Sequence, residues 1–182
     1  AMYPVGWQNT CTWLRKIAEF VKDEAKGEDV VRQEEERLKE YVKTILPVTQ
    51  TKKAVLGIGR GPRWYNPAET LNTMQRMQME LSAVILYDKL IDEERNEVIA
   101  AVEAWKKSAK LPDIPLIADG NYTDCLEQAD VLLTTDELPG NPVKQFFIPM
   151  VPLAGTDGEL IVMRTIYRLL CRYGNKGGIA YA

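Results

Sequence analysis

A glycine-rich segment with two arginines, GIGRGPRW at residues 57–64, is the part of the sequence best suited to hold an anion. Alternating glycines let backbone N–H groups approach a ligand closely, and the guanidinium groups of Arg60 and Arg63 add charge and paired hydrogen-bond donors. The segment follows a short apolar run at 54–56 and precedes a helical pattern, whose N-terminus would add positive potential. These residues predict a loop that faces a cofactor or a partner. A tight turn at the end of a strand is the plainer interpretation.

Two nucleotide-binding motifs do not fit this segment. The fingerprint GxGxxG requires glycine at the position of Pro62, and the phosphate-binding P-loop requires a GK[ST] sequence that is missing. A nucleotide is therefore the least favoured occupant of the loop.

Three aspartates provide a second candidate site, since each follows a predicted strand. They are Asp88, Asp119 and Asp136. The carboxyl ends of parallel strands meet at one edge of a sheet, so the three carboxylates are expected to cluster there, where they could bind Mg²⁺ or act as an acid/base set. The plainer interpretation, that each aspartate caps the next helix or turn, is favoured.

Few other side chains in the sequence have reactive chemistry. Histidine is absent, which removes the commonest general base and the commonest transition-metal ligand. The three cysteines, Cys11, Cys125 and Cys171, are far apart in sequence and form no CxxC motif, so they predict buried, non-ligating thiols in a reducing cytoplasm. Any chemistry of this chain alone must therefore use carboxylates, thiols, arginine, lysine or a borrowed cofactor.

Composition excludes several classes of protein. The chain has 182 residues, 46% of them apolar and 27% charged, which is typical of one globular domain with a real core. A net charge of −3 provides no basic surface for nucleic acid. No apolar run approaches the ~20 residues of a membrane span, so no membrane partner is expected.

Hydrophobic periodicity predicts the elements that position these residues. Two amphipathic helices are expected at about 8–26 and 29–46, the second ended by Pro47, so that residues 1–50 form a helical lead-in. Over 51–182, helical patterns alternate with continuous apolar runs, which are typical of strands covered on both faces. The predicted strands lie near 53–58, 82–87, 115–118 and 130–135, with a short fifth candidate at 145–149.

This alternation predicts a single three-layer α/β domain of the Rossmann-like or flavodoxin-like type. Its sheet is expected to be mostly parallel, with four or five strands, and to be preceded by the two helices. In such sheets, ligands bind at the carboxyl ends of the strands near the point where strand order reverses. The segment 57–64 leaves the first strand at that edge.

Five stretches together carry a family resemblance. They are MYPVGWQNTCTWLRKIAEF (2–20), EEERLKEYV (34–42), VLGIGRGPRWY (55–65), LIADGNYTDCLEQADVLLTTDEL (116–138) and FFIPMVPLAGTDGELIVMRTIYRLL (146–170). Taken in order over roughly residues 3–174, they resemble the last Rossmann-like domain of the nitrogenase component 1 family, the MoFe-protein-like subunits.

The resemblance implies that the chain is one domain of a longer oxidoreductase chain, in which a metallocluster or an organic substrate lies between three such domains. The cofactor is expected to be an iron–sulfur-type cluster or a tetrapyrrole, held by the full assembly and not by the isolated domain. Electrons would come from a partner ATPase of the Fe-protein type, and the other domains or subunits of the complex would be further partners. The residues that would face the cofactor are Gly57, Gly59, Arg60, Gly61 and Arg63.

Two departures from the family pattern restrict this expectation. The cofactor-ligating histidine of the MoFe alpha subunit belongs in the loop before GTDG (155–158), and this loop, PMVPLA, contains none. Trp64 stands where the glycine-rich loop usually has its own histidine. The chain is therefore expected to be a fragment of a cytoplasmic, nitrogenase-like enzyme other than a dinitrogen reductase, and not to be catalytic alone.

A different class of function stays open. A stand-alone flavodoxin-like module that binds a ligand or a partner, with no redox role, needs only the cleft and the three aspartates. Binding of a phosphate-bearing or metal ligand by the isolated chain would favour this alternative.

Overall fold

In the computed structural model, the described residues are 3–59, 65–88, 90–118, 121–138, 143–149, 153–173 and, for the backbone alone, 179–181. The helices are α1 (Trp7–Phe20), α2 (Glu24–Thr49), α3 (Pro67–Arg76), α4 (Asp92–Ala109), α5 (Thr123–Glu127) and α6 (Gly155–Leu170). The strands are β1 (Lys53–Ile58), β2 (Glu80–Leu86), β3 (Leu116–Ile117), β4 (Val131–Thr134), β5 (Lys144–Phe147) and β6 (Ile179–Tyr181). Within the described residues, no helix has both the length and the apolar character needed to cross a membrane.

The strands form one parallel sheet in the order β3-β2-β1-β4-β5-β6. The central strand β1 pairs with β2 on one side and with β4 on the other, from Ala54↔Val131 to Gly57↔Thr134. This confirms the predicted parallel α/β domain with two leading helices. The four predicted strands and the fifth candidate are all present, and β6 adds a sixth strand beside β5.

Helices cover both faces of the sheet, which makes three layers. On one face, Ala54, Leu56 and Ile58 of β1 share a hydrophobic core with residues of α2, α3, α4 and α6. On the other face, Val55 shares a second core with Leu126 of α5. Successive side chains of a strand point to opposite faces, so a strand that is covered on both faces is apolar throughout.

The two N-terminal helices meet at a different junction from the predicted one. α1 ends at Phe20, and α2 begins at Glu24 with the side chain of Asp23 as its cap. Gly27 therefore lies inside α2 and does not follow the first helix. A Cβ at Gly27 would lie 2.3 Å from the Cβ of Ala18, so glycine is the residue that lets α2 pack closely against α1.

Pro47 does not end the second helix, which continues to Thr49. A proline inside a helix lacks the N–H that would bond to the carbonyl four residues earlier, here that of Lys43. Both Pro47 and Lys43 are exposed, so this part of α2 faces solvent, where the loss of one helical hydrogen bond costs least. The predicted range 29–46 is therefore too short at both ends.

Asp130 links the starts of β1 and β4, and its loss should weaken the sheet. Its carboxylate accepts a hydrogen bond from Nζ of Lys52 at 2.9 Å and another from the backbone N–H of Lys53 at 2.8 Å. Asp130→Ala should lower the free energy of unfolding by about 1.5 kcal/mol, because both charge-assisted bonds are lost at a part-buried site. Urea denaturation measures this change. The exposed Asp29→Ala is the control, and equal losses in the two variants would contradict the prediction.

Candidate functional site

The glycine-rich segment leaves the sheet where strand order reverses. β2 and β3 lie on one side of β1, and β4 lies on its other side. Ligands of open parallel sheets bind in the crevice outside this edge. Gly57 is the second-last residue of β1, and the N–H of Gly59 donates to Oγ1 of Thr135, just after β4, at 2.9 Å. The fold therefore brings the start of the segment to the expected ligand edge.

Packing against the neighbouring strands also requires both glycines. A Cβ at Gly57 would lie 2.2 Å from Oη of Tyr87, and a Cβ at Gly59 would lie 2.6 Å from the Cβ of Asp136. Tyr87 is 5% exposed, and its hydroxyl is 3.1 Å from Oγ1 of Thr134. Burial raises the pKa of Tyr87 above its ordinary value, which keeps the hydroxyl neutral. The two glycines therefore leave space that Tyr87 and Asp136 fill beside β1. They do not by themselves form an open binding site for a ligand.

Arg60, Gly61 and Arg63 of the predicted cofactor loop lie outside the described residues. The assignment of all five loop residues to a cofactor, Gly57 and Gly59 included, stays a prediction.

Two of the three aspartates lie just after their strands, as predicted. Asp88 is exposed two residues after β2, Asp136 is half-buried two residues after β4, and Asp119 lies outside the described residues. Asp88 does not cap α4, whose N-cap is Ile91. The N–H of Asp136 donates to Oγ1 of Thr134 at 3.2 Å, as part of a turn. Across the described part of the chain, no three acidic or cysteine side chains are grouped so that they could hold a metal ion.

The cysteines differ from one another in burial. Cys11 is buried as predicted, Cys125 is half-buried, and Cys171 is exposed. The prediction of a buried thiol is wrong for Cys171, because this residue follows the last residue of α6, where the helix ends at the surface. Burial raises the pKa of the Cys11 and Cys125 thiols, which disfavours the reactive thiolate at both positions.

A cavity of about 650 Å³ lies between α3, α6 and the segment that leads into α1. Clefts that hold small organic ligands have volumes of roughly 300–1,000 Å³. The walls are mainly apolar, and they include Val5, Tyr65, Phe146, Ile148, Leu153 and Val162. No sequence pattern predicts this cavity, because its lining residues come from distant parts of the chain.

Two carboxylates, Glu69 of α3 and Glu159 of α6, belong to the cavity lining. Oε1 of Glu69 accepts a hydrogen bond from Nδ2 of Asn9 at 2.9 Å, and Oε1 of Glu159 accepts one from Oγ1 of Thr73 at 2.9 Å. Burial, followed by the charge of Glu159, raises the pKa of Glu69 to about 7. Burial also raises the pKa of Glu159, which is 6% exposed. Glu69 can therefore exchange a proton near neutral pH, and the two carboxylates can attract a cation.

Of these two carboxylates, only Glu159 stands in a sequence pattern that indicates an unusual role. Glu69 stands in the first turn of α3, where an acidic residue is an ordinary complement to the helix dipole. Glu159 shares the buried face of α6 with Met163, Ile166 and Leu170 at helical spacing. An acidic residue on an apolar helix face is rarely buried unless it is paired or functional, and this pattern could have identified Glu159.

Comparison with known proteins adds no relative, since no family model matches the chain and no curated protein matches it significantly. The strand order of the sheet is that of Rossmann-type domains, although the GxGxxG fingerprint is missing. The class of protein is therefore a Rossmann-like α/β domain with a cavity between α3 and α6.

Proposed function

We propose that this chain is a domain of a nitrogenase component 1-like oxidoreductase other than a dinitrogen reductase. In that role it forms one wall of a site for an iron–sulfur-type cluster or a tetrapyrrole, in an assembly that takes electrons from an Fe-protein-like ATPase. The observation that carries the proposal is the position of Gly57 and Gly59, the first glycines of the segment 57–64, at the end of the central strand and at the switch point of the sheet. The ordered resemblance of the five sequence stretches supports the choice of family.

Within this proposal the chain binds and positions the cofactor, and the bound cofactor supplies the redox chemistry. The guanidinium groups of Arg60 and Arg63 would donate hydrogen bonds to an anionic cofactor. The N–H of Gly59 is already used, because it donates to Thr135. The close contact of Tyr87 with Gly57 holds the base of the segment in place. The residues that follow Gly59 are therefore the ones that would contact the cofactor directly.

An exposed apolar stripe on α1 supports the proposed interface with other domains or subunits. Trp13, Ile17, Phe20 and Val21 recur at helical spacing, and their exposed fractions are 37%, 40%, 88% and 59%. Apolar residues grouped on one exposed face mark interaction sites more often than scattered ones do. Burial of the stripe against a partner would remove these side chains from water.

Phe20→Ser should weaken that assembly and leave the chain folded. Because Phe20 is 88% exposed, its truncation should change the free energy of unfolding by less than about 0.5 kcal/mol. An aromatic anchor at an interface contributes about 2 kcal/mol or more, which corresponds to about a 30-fold loss in affinity. Co-purification of the full-length protein with its partner subunits measures the loss. Lys16→Ser, an exposed change on the same helix, is the control, and equal recovery with both variants would argue against the interface.

Cofactor content of the full-length protein tests the proposed function. Anaerobic purification of the native reading frame, co-expressed with an Fe-protein-like ATPase, should yield bound iron or a tetrapyrrole by metal analysis and visible absorption. Arg63→Ala should lower that content several-fold with an unchanged circular dichroism spectrum. Arg15→Ala, which removes a surface arginine paired with Glu28, should not. A full-length protein without cofactor, or full content in Arg63→Ala, would refute the proposal.

A second candidate, a stand-alone module that binds an organic ligand, is favoured by the cavity of about 650 Å³ in the chain by itself. Phe146 of the cavity lining belongs to the core on the α3 and α6 face of the sheet. Gly57 and Gly59 instead contact Tyr87, which belongs to the core on the opposite face. Gly57 and Gly59 therefore pack on the face of the sheet opposite to the core that contains Phe146.

A further inference from the structure

We infer that the cavity between α3 and α6 binds an organic cation, a primary ammonium or amidinium group on an apolar body, with Glu69 and Glu159 as its counter-charges. The inference rests on the second candidate function, ligand binding by the cavity. It does not depend on the redox proposal.

The size and the walls of the cavity fit such a molecule. A volume of about 650 Å³ accommodates a small aromatic amine with room for a longer apolar body. Phe146, Ile148, Leu153 and Val162 supply apolar contacts, and Tyr65 adds a second aromatic ring. Burial against these side chains removes the apolar body from water, and aromatic rings also attract a cation.

The two carboxylates have only neutral hydrogen-bond donors within the described structure. The amide of Asn9 donates a hydrogen bond to Glu69, and the hydroxyl of Thr73 donates one to Glu159. Oε2 of Glu69 is buried and has no hydrogen-bond partner among the described residues. An ionised carboxylate in such surroundings is costly until a positive charge joins it. A bound cation would supply that charge.

The guanidinium group of Arg76 does not fill this role. It lies close enough to lower the pKa of Glu159, but Nη1 of Arg76 donates to Oε1 of Glu35 at 3.1 Å. The same guanidinium lies 5.9 Å from the ring centroid of Trp7. Glu35 and Trp7 belong to α2 and α1, and Arg76 is not among the described residues that line the cavity.

A divalent metal ion fits the cavity less well than an organic cation. Mg²⁺ and Ca²⁺ take six or more oxygen ligands. Among the described residues, no group of three acidic or cysteine side chains is placed to hold a metal ion. The mainly apolar walls suit an organic body and not a hydrated ion.

Three probes that share one aromatic body test the charge of the ligand. Phenethylamine is a cation, phenethyl alcohol is neutral, and hydrocinnamate is an anion. Titration of the 182-residue chain at a pH of about 8, followed by amide NMR shifts, gives a dissociation constant for each probe. The amine should bind at least about tenfold more tightly than the alcohol, and hydrocinnamate should bind most weakly, because carboxylates attract the cation and repel the anion.

Glu159→Gln and Glu69→Gln assign the preference to these carboxylates. Each glutamine keeps the side-chain shape and an accepting oxygen but removes the charge. Each variant should therefore lose most of the preference for the amine over the alcohol. Glu19→Gln, at an exposed position of α1, should bind all probes as the wild type does.

The possible results distinguish recognition of a cation from ligand binding by the cavity, the function on which this inference rests. If the alcohol binds as tightly as the amine, charge recognition is refuted and ligand binding stands. If none of the three probes binds, both are refuted. If the preference persists in Glu159→Gln and in Glu69→Gln, these carboxylates are not the counter-charges and the inference is overturned.

Discussion

Gly57→Ala is expected to lower the free energy of unfolding by about 3 kcal/mol. The added Cβ would lie 2.2 Å from Oη and 2.8 Å from Cζ of Tyr87, and 3.1 Å from Cδ1 of Leu132. Neither neighbour has room to move, because Tyr87 is 5% exposed and Leu132 is completely buried. The new methyl group would also stand on the central strand β1, which is paired on both sides. Urea denaturation followed by circular dichroism measures the loss.

A double variant tests whether Tyr87 is the cause. Tyr87→Phe removes the hydroxyl, the atom closest to the added methyl group. Gly57→Ala with Tyr87→Phe should therefore be about 1 kcal/mol more stable than the sum of the single losses. Tyr87→Phe alone should cost about 1 kcal/mol, because the hydroxyl lies 3.1 Å from Oγ1 of Thr134. Strictly additive losses would show that another contact excludes the methyl group.

This packing role decides which residue can test the proposed cofactor site. A Gly57 variant without cofactor would be explained by its folding defect, so it could not report on contact with the cofactor. Arg63, which lies beyond β1 in the sequence, is the better position for that test.

Glu69→Gln is expected to remove most of a pH dependence of stability that amounts to about 2 kcal/mol in the wild type. Burial first, and the charge of Glu159 second, raise the pKa of Glu69 from 4.5 to about 7. Between these values the folded state binds a proton that the unfolded state lacks. The stability therefore falls as pH rises through this window, and the penalty is complete above the higher pKa. Each pKa unit corresponds to about 1.4 kcal/mol, and partial exposure of the half-buried Glu69 reduces the total.

The variant cannot form the charge, so at a pH of about 8 it should be about 2 kcal/mol more stable than the wild type. Near pH ~5 the two proteins should differ little, since Glu69 is then protonated in the folded wild type. Glutamine keeps an oxygen that accepts the hydrogen bond from Asn9. Burial also raises the pKa of Glu159, which adds a slope of the same sign in both proteins. Urea unfolding at both pH values, with Glu19→Gln as the exposed control, measures the difference, and equal slopes would disprove the assignment to Glu69.

Local sequence patterns were sufficient to predict most of the elements. The start of α3 is an example, since asparagine is a preferred N-cap residue and proline is favoured at the first helical position, where Asn66 and Pro67 stand. In the structure, Oδ1 of Asn66 accepts a hydrogen bond from the N–H of Ala68 at 3.0 Å. Such signals act between residues that are close in sequence, so they can be read without knowledge of the fold.

Helix ends that depend on contacts between elements could not be predicted in this way. Glycine is a residue type that often ends helices, yet Gly27 lies inside α2, where the side chain of Ala18 from α1 packs against it. Pro47 also has the character of a helix end, but its exposed position lets α2 continue past it. Local propensity is a weak preference, and tertiary packing overrides it.

The sequence by itself determined the alternation of helices with apolar strands, the absence of histidine, and the position of the segment 57–64 after the first strand. Only the tertiary structure decided that Tyr87 and Asp136 fill the space beside the two glycines, and that Glu69 and Glu159 line one cavity. The reason is physical. Periodic patterns arise from side chains a few residues apart, whereas these contacts join distant parts of the chain, and their approach depends on strand order and on the packing of α3 beside α6.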